Sequence, residues 1–216
     1  MLPDRSAERE RMVDEQLRRR GIADERVLAA MARVPRELFV PEALRDRAYD
    51  DAALPIGGGQ TISQPFMVAR IVEALSVGPS ARVLDVGTGS GYQAAVLADL
   101  AAEVHTVERR PELARRAEEA LSAAGADAVR VHVGDGSLGL PQHAPFDAIA
   151  VAAAAPEVPS SLYAQLVPGG RLAVPVGSRQ GQELRVVVRS PEGPAVLRSV
   201  HCRFVPLVGA EGFDAE

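Results

Sequence analysis

The stretch Val83-Leu84-Asp85-Val86-Gly87-Thr88-Gly89-Ser90-Gly91-Tyr92 limits what this chain can fold into more than any other. An apolar strand runs into three alternate glycines and then into a helical pattern. Glycine lets the backbone turn sharply and brings main-chain atoms against a ligand with no Cβ between them. In a parallel sheet such a loop lies at the carboxyl edge, near the switch point where ligands bind. Two common ligand classes do not match. A dinucleotide fingerprint, G-x-G-x-x-G, needs its third glycine where Tyr92 stands. A phosphate-binding P-loop needs Lys and then Ser or Thr after its last glycine, and Gly91 is followed by Tyr92-Gln93.

The segments after this loop alternate between strand and helix patterns. Strands are predicted over 81–86, 104–108, 129–133, 146–151 and 171–176, with helices over 92–100, 111–123 and 160–166 between them. Pro111 stands in the first turn of its helix, where a missing N–H costs nothing. Such alternation predicts a doubly wound, mostly parallel sheet of seven strands covered on both faces, a Rossmann-like α/β fold. The last two strands, 183–189 and 195–204, turn at Ser190-Pro191-Glu192-Gly193 and predict an antiparallel hairpin.

Ahead of this core the pattern is helical. Ser6 to about Arg20 carries Met12, Val13 and Leu17, with Ser6 as N-cap and Gly21 as stop. A second helix is expected over 24–33, and Pro35 and Pro41 confine Arg36–Val40 to a short segment. The arginine-rich runs here read as a solvated helix face interleaved with Glu8, Asp14 and Glu15, or alternatively as a nucleic-acid contact. Residues 49–65 (YDDAALPIGGGQTISQP) form a loop too long for an ordinary connection, a class usually functional or disordered. A helix resumes at Phe66. The division expected is 1–64, a helical extension with an active-site loop, and 65–216, the α/β core, together one compact unit.

Composition narrows the classes further. Hydrophobic residues are 47% and charged residues 25% of the chain, values of an ordinary globular domain rather than a disordered one. The formal net charge of −5 gives no general attraction to nucleic acid or an anionic membrane. A single cysteine, Cys202, excludes an internal disulfide and a cysteine zinc cluster. No apolar leader or membrane-length apolar run is visible, so a cytoplasmic location is expected. His105, His132, His143 and His201 lack metal-ligand spacing, so no metal is expected, and His143 reads as an exposed loop residue.

Acidic residues follow three successive strand positions: Asp85 before the glycines, Glu108 at the end of the second strand, and Asp135 in Gly134-Asp135-Gly136 after the third. Together with Gly87, Thr88, Gly89, Ser90, Gly91 and Tyr92, this pattern resembles the S-adenosylmethionine loop of class I methyltransferases. The resemblance implies Glu108 at a ribose diol and Asp135 with Gly136 near adenine. A solvated Glu108 and a helix-capping Asp135 are the plainer alternatives. A more specific resemblance lies at Gly59-Gln60-Thr61-Ile62-Ser63-Gln64-Pro65, which is similar to the signature of the protein-L-isoaspartate O-methyltransferases. Arg36–Pro41, Ala48-Tyr49, Gly134–Gly136, Ala153–Pro156, Gly169–Leu172, Pro175–Gly177 and Arg203–Leu207 match in register, so the likeness covers almost the whole chain.

That resemblance implies methyl transfer from S-adenosylmethionine, with S-adenosylhomocysteine as product, to the free α-carboxylate of L-isoaspartyl residues in damaged proteins. D-aspartyl residues are a further substrate class left open. It places Ser63 at the catalytic position and Gln60, Thr61, Ile62, Val205 and Leu207 at the substrate. It also suggests that the last two strands exchange places relative to other class I enzymes. Ser63 could equally cap the helix that begins near Pro65. Val208 stands where threonine is expected, and Phe66 where some members have histidine. Neither nucleic acid nor membrane is an expected partner, and the chain is expected to be a monomer. The rival functions are a class I methyltransferase acting on a small molecule or RNA, a cofactor-binding module without turnover, and, more distantly, a nicotinamide oxidoreductase.

Overall fold

The computed structural model describes residues 4–214; the outermost parts of the two expected segments, 1–3 and 215–216, lie outside them. Strands β3 (Arg82–Val86), β4 (Glu103–Glu108), β5 (Arg130–Val133), β6 (Phe146–Val151), β7 (Leu166–Gly177), β8 (Gln182–Ser190) and β9 (Gly193–Cys202) form a seven-stranded sheet in the order β5-β4-β3-β6-β7-β8-β9. The first five in that order are parallel, and β8 and β9 join antiparallel, as the hairpin pattern predicts. β8 lies beside β7 and β9 at the edge, so these two follow chain order.

The apolar strands alternate faces with period two, and this divides the core into two layers. Val83, Val104, Ala148 and Ala150 point to one face, where they pack with α3 (Pro65–Leu75) and α4 (Tyr92–Ala98). Leu84, Val86, Val107, Ile149 and Val151 point to the other, with Leu162 of α6 (Ser160–Ala164). The direction of strand addition reverses between β3 and β6. The crevice outside their carboxyl ends is therefore the topological switch point.

The N-terminal segment winds less regularly than its periodicity suggests. α1 spans Ser6–Met12 and passes into a π-helical stretch, Val13–Leu17, and a 3-10 turn, Arg18–Arg20. A wider turn gathers Met12, Val13 and Leu17, all buried, onto a narrower face than an α-turn would. Ser6 is not the N-cap. Arg5 holds that position without a side-chain cap, and Ser6 bonds to Asp4 instead. Gly21 ends the run with φ 89°, a left-handed turn suited to glycine. α2 spans Glu25–Arg33, with the Asp24 carboxylate accepting from Arg26 N. Two arginines of the run are in ion pairs: Arg18 meets Asp14 and Glu25, and Arg20 meets Asp51.

The 49–65 loop holds secondary structure that its pattern conceals. β1 (Leu54–Gly57) and β2 (Gln60–Ile62) pair antiparallel in a separate two-stranded hairpin. Strands of four and three residues are too short to show a period. The turn between them needs three consecutive positive φ values, 93°, 58° and 71° at Gly57, Gly58 and Gly59, which only glycine adopts without strain. The Arg116 guanidinium of α5 (Pro111–Ala123) donates to Ile56 O at 2.9 Å and fastens the hairpin to the core.

Met12, Leu17, Leu28 and Met31 belong to one continuous apolar cluster with Val83, Val96 and Val104 of the sheet and its helices. We infer that the extension and the α/β core unfold together. Leu28→Ala, at a position 1% exposed, should cost about 2–5 kcal/mol. Denaturant unfolding followed by circular dichroism should keep one transition, and a separate early transition for the extension would refute a single unit.

Candidate active site

At the switch point lies a cavity of about 430 Å³. Its floor is the loop after β3, where Gly87 N and Thr88 N both donate to Val107 O, at 2.9 and 3.2 Å. Gly87 and Gly89 adopt φ 91° and 53°, so their backbone faces the cavity in a conformation closed to most side chains. Thr88, Ser90, Tyr92 and Gln93 continue the lining at the start of α4. Glu108 enters from the end of β4, only 6% exposed. One carboxylate oxygen accepts from Gly89 N and the other from Arg110 N, both at 3.0 Å. Each oxygen keeps a second lone pair for a hydroxyl-bearing ligand.

The hairpin closes the opposite wall. Gln60, Thr61, Ile62 and Ser63 all line the cavity. Gln64 occupies the N-cap position of α3 with its side chain turned to Asp51 rather than capping the helix, so Ser63 is not the N-cap residue. The Ser63 backbone is held from behind by Arg36, which is fully buried. Arg36 Nη2 donates to Ser63 O at 2.8 Å, Nε donates to Ala48 O at 2.7 Å, and the guanidinium lies 4.8 Å above the Tyr92 ring. A third wall is an extended C-terminal segment. Ala154 N donates to Val205 O and Leu207 N to Ala154 O, at 2.8 and 2.7 Å, which adds Val205, Pro206, Leu207 and Val208 to the lining. Phe66 lies outside this lining, beneath the Arg20 guanidinium.

Three residues expected at the cofactor are not part of the cavity lining. Asp85 is fully buried below the loop, where it accepts from Gln93 Nε2 at 2.7 Å and Thr106 Oγ1 at 2.9 Å. The Thr106 hydroxyl is thereby committed as a donor, so Thr88 Oγ1, 2.7 Å away, donates to it. Burial pushes the Asp85 carboxyl up to about 6, against the lowering effect of those two bonds. Asp135 is the capping residue of its alternative reading: it accepts from Ser137 N and Oγ, and also from Ala210 N. Burial opposes its ionisation, yet these bonds together hold its carboxyl below the usual range. Gly91 serves packing, since a Cβ there would come within 3.2 Å of Leu121. Gly136 does line the cavity, and a Cβ there would meet Val86 at 2.8 Å.

The structure also adds residues. Ala152 and Ala153 follow β6, the strand on the other side of the switch point, and the strand-end logic used for Glu108 would have reached them. Gln93 is one residue beyond the glycine motif. Arg109 and Arg110 follow Glu108, whereas Arg179 arrives from the β7–β8 turn with no sequence signal to mark it.

A family model for protein-L-isoaspartate(D-aspartate) O-methyltransferase matches residues 7–212. The chain belongs to this family. A relative from Roseiflexus sp. (strain RS-1), named protein-L-isoaspartate O-methyltransferase, is 54% identical over 99% of this chain and 97% of its own length. One of the same name from Gloeobacter violaceus is 56% identical over 91% and 96%. A solved protein-L-isoaspartate O-methyltransferase superposes with a TM-score of 0.85 at 28% identity, over 94% of this chain and 67% of that one. A structure assigned to the same activity, from Plasmodium falciparum and in complex with S-adenosyl-L-homocysteine, gives 0.77 at 27%, over 93% and 98%.

The cavity fits S-adenosylmethionine on grounds internal to the structure. The buried Gln93 Oε1 has no hydrogen-bond partner among the described residues, an acceptor suited to a ligand ammonium. The glycine loop presents backbone in place of side chains, and Val68, Val86 and Val107 supply apolar surface. With Asp85 raised, the folded protein binds more protons than the unfolded chain between about pH 4 and 6, so its contribution falls as pH rises through that window. Relative to Asp85→Asn, the wild type should lose about 2 kcal/mol of unfolding free energy between pH 4 and pH 7. Chemical denaturation of both proteins across that range checks this; a constant difference would mean an ordinary carboxyl.

Proposed function

We propose that this chain is a protein repair enzyme that transfers a methyl group from S-adenosylmethionine to the free α-carboxylate of L-isoaspartyl residues in damaged proteins and peptides. One observation carries the reading: the Gln60–Ser63 wall of the hairpin faces the glycine loop across a single cavity, with Val205–Leu207 as an extended third side. When bound, S-adenosylmethionine supplies an electrophilic methyl carbon on a sulfonium, with S-adenosylhomocysteine as the product left behind.

The substrate carboxylate is ionised well above its pKa at neutral pH, so no general base is required. What the protein must contribute is alignment, a source of large rate enhancement when reacting atoms are held in line. Ser63 Oγ is the group we assign to donate to one carboxylate oxygen and orient the other. Arg36 fixes the backbone that carries it. Glu108 offers acceptors to the ribose diol, and Gln93 Oε1 an acceptor to the ammonium. The buried Asp85 sets the position of Gln93 rather than touching the ligand. Extended backbone at 205–207 suits an extended peptide read through its main chain, which tolerates many side chains. Val208 lines that wall without a hydroxyl.

Among the described residues no helix is long and apolar enough to cross a membrane. The exposed large apolar side chains among them are Val133, Leu138 and Val196. These observations and the acidic balance support a cytoplasmic monomer that acts on proteins rather than nucleic acid. Labelled methyl should pass from S-adenosylmethionine to an isoaspartyl peptide and not to the same peptide with normal aspartate. Ser63→Ala should lower kcat/KM about 10–100-fold, the loss of one hydrogen bond to a charged group. Equal methylation of both peptides, or methylation of RNA alone, would sink the repair reading.

A further inference from the structure

His105, His132 and His143 are far apart in sequence but adjacent in space. β4 and β5 pair in parallel with His105 opposite Arg130 and Val107 opposite His132, so both imidazoles leave the same face of the sheet. The connection from β5 to β6 contains no α-helix, only 3-10 turns at Gly136–Leu138 and Pro141–His143. The second turn sets the half-buried His143 over that face. Ring centroids are 4.4, 4.8 and 5.2 Å apart, and one nitrogen from each ring lies within 4.8 Å of the other two.

We propose that these three histidines are ligands of a divalent transition-metal site of the zinc class. Tetrahedral zinc at its usual bond length to histidine places ligand nitrogens about 3.3 Å apart. The existing separations, one of them 2.9 Å between His105 Nδ1 and His132 Nε2, bracket that value. His105 Nε2 lies 3.0 Å from Glu103 Oε1, which fixes its proton there and leaves Nδ1 as a lone pair turned to the other rings. A carboxylate behind a ligating imidazole is the usual outer support of such sites. Without metal, His132 Nε2–H donates to His105 Nδ1. On binding, that proton is replaced by the ion and reappears on His132 Nδ1 by exchange with solvent, so both rings stay neutral. The Arg82 and Arg130 charges beside the cluster are both paired with Glu103.

Three protein ligands leave a fourth position to water. His105 stands three residues before Glu108, roughly 10 Å away along the strand, so the ion would lie outside the cofactor cavity. Its effect would be to pin the Pro141–His143 turn to the sheet edge. The test is titration of the tag-free, chelator-treated full chain with Co²⁺ and Zn²⁺. One equivalent of Co²⁺ with the visible absorption of a tetrahedral site is expected, and Zn²⁺ at a hundredfold excess over its Kd should raise Tm by about 5–10 °C. His143→Ala, on an outer turn, should weaken Zn²⁺ binding at least 100-fold while leaving methyl transfer unchanged. His132→Gln serves as a second variant should the first lower stability. Absence of stoichiometric binding to the wild type, or equal binding by both variants, would overturn the site.

Discussion

The guanidinium of Arg36 is the contact on which the site's assembly turns. It joins three parts of the chain that share no sequence proximity: the extension through Ala48 O, the hairpin loop through Ser63 O, and the cofactor helix through the Tyr92 ring. Burying a cation is costly unless its donors are satisfied, and burial lowers the Arg36 pKa to about 10. That cost is also what makes the contact specific. A displaced loop would leave the buried charge without its carbonyl partners, an outcome worth several kcal/mol against the alternative packing. The neighbouring Glu37 is similarly occupied, by the Tyr49 hydroxyl and, at 3.7 Å, by Arg9. The Arg36–Pro41 segment thus acts as a polar keystone under an otherwise apolar layer.

Beneath the glycine loop a second polar assembly works by the same principle. Asp85, Thr106, Thr88 and Gln93 form one chain of hydrogen bonds inside the sheet edge. A fully satisfied network of this kind rigidifies its surroundings, and a partly satisfied one is expensive. The unsatisfied atom is Oε1 of Gln93, a residue of the cavity lining. A binding site is where such an orphan is expected, because the ligand completes what the fold leaves open.

The sheet was legible because its strands are long apolar runs separated by glycines and helix-compatible stretches; the helix over 111–123 and the strand over 146–151 agree with the structure to the residue. The hairpin at 54–62 was not, since strands of four and three residues hold too few repeats of a two-residue period to reveal it. The glycine motif located the cavity, although Asp85, Gly91 and Asp135 do not line it. Asp85 and Glu108 are both acidic and leave the same face of the sheet, yet Glu108 stands two residues beyond Thr106, the partner of Asp85, so it reaches the cavity while Asp85 stays buried beneath the loop. The histidine cluster was invisible for another reason. Spacing rules describe ligands on one local element, and here they come from two strands and a turn brought together only by the register of the sheet.

Asp135 shows how a residue can matter to a site without facing it. The Val205–Leu207 wall belongs to a tail that follows the last strand, and two backbone bonds to Ala154 alone are slight restraint for an extended segment. Asp135 accepts from Ala210 N, Ser137 Oγ accepts from Glu211 N, and the Glu211 carboxylate accepts from Ser161 N. The two bonds to carboxylates are charge-assisted, a type stronger than bonds between neutral groups. The approach is close enough that a Cβ at Gly209 would fall 2.0 Å from Asp135 Oδ1. An acidic residue after the third parallel strand therefore organises the third wall of the cavity from behind. The glycine four residues before the anchored Phe213, which returns a bond from its N–H to Leu207 O, is what lets the tail come that near.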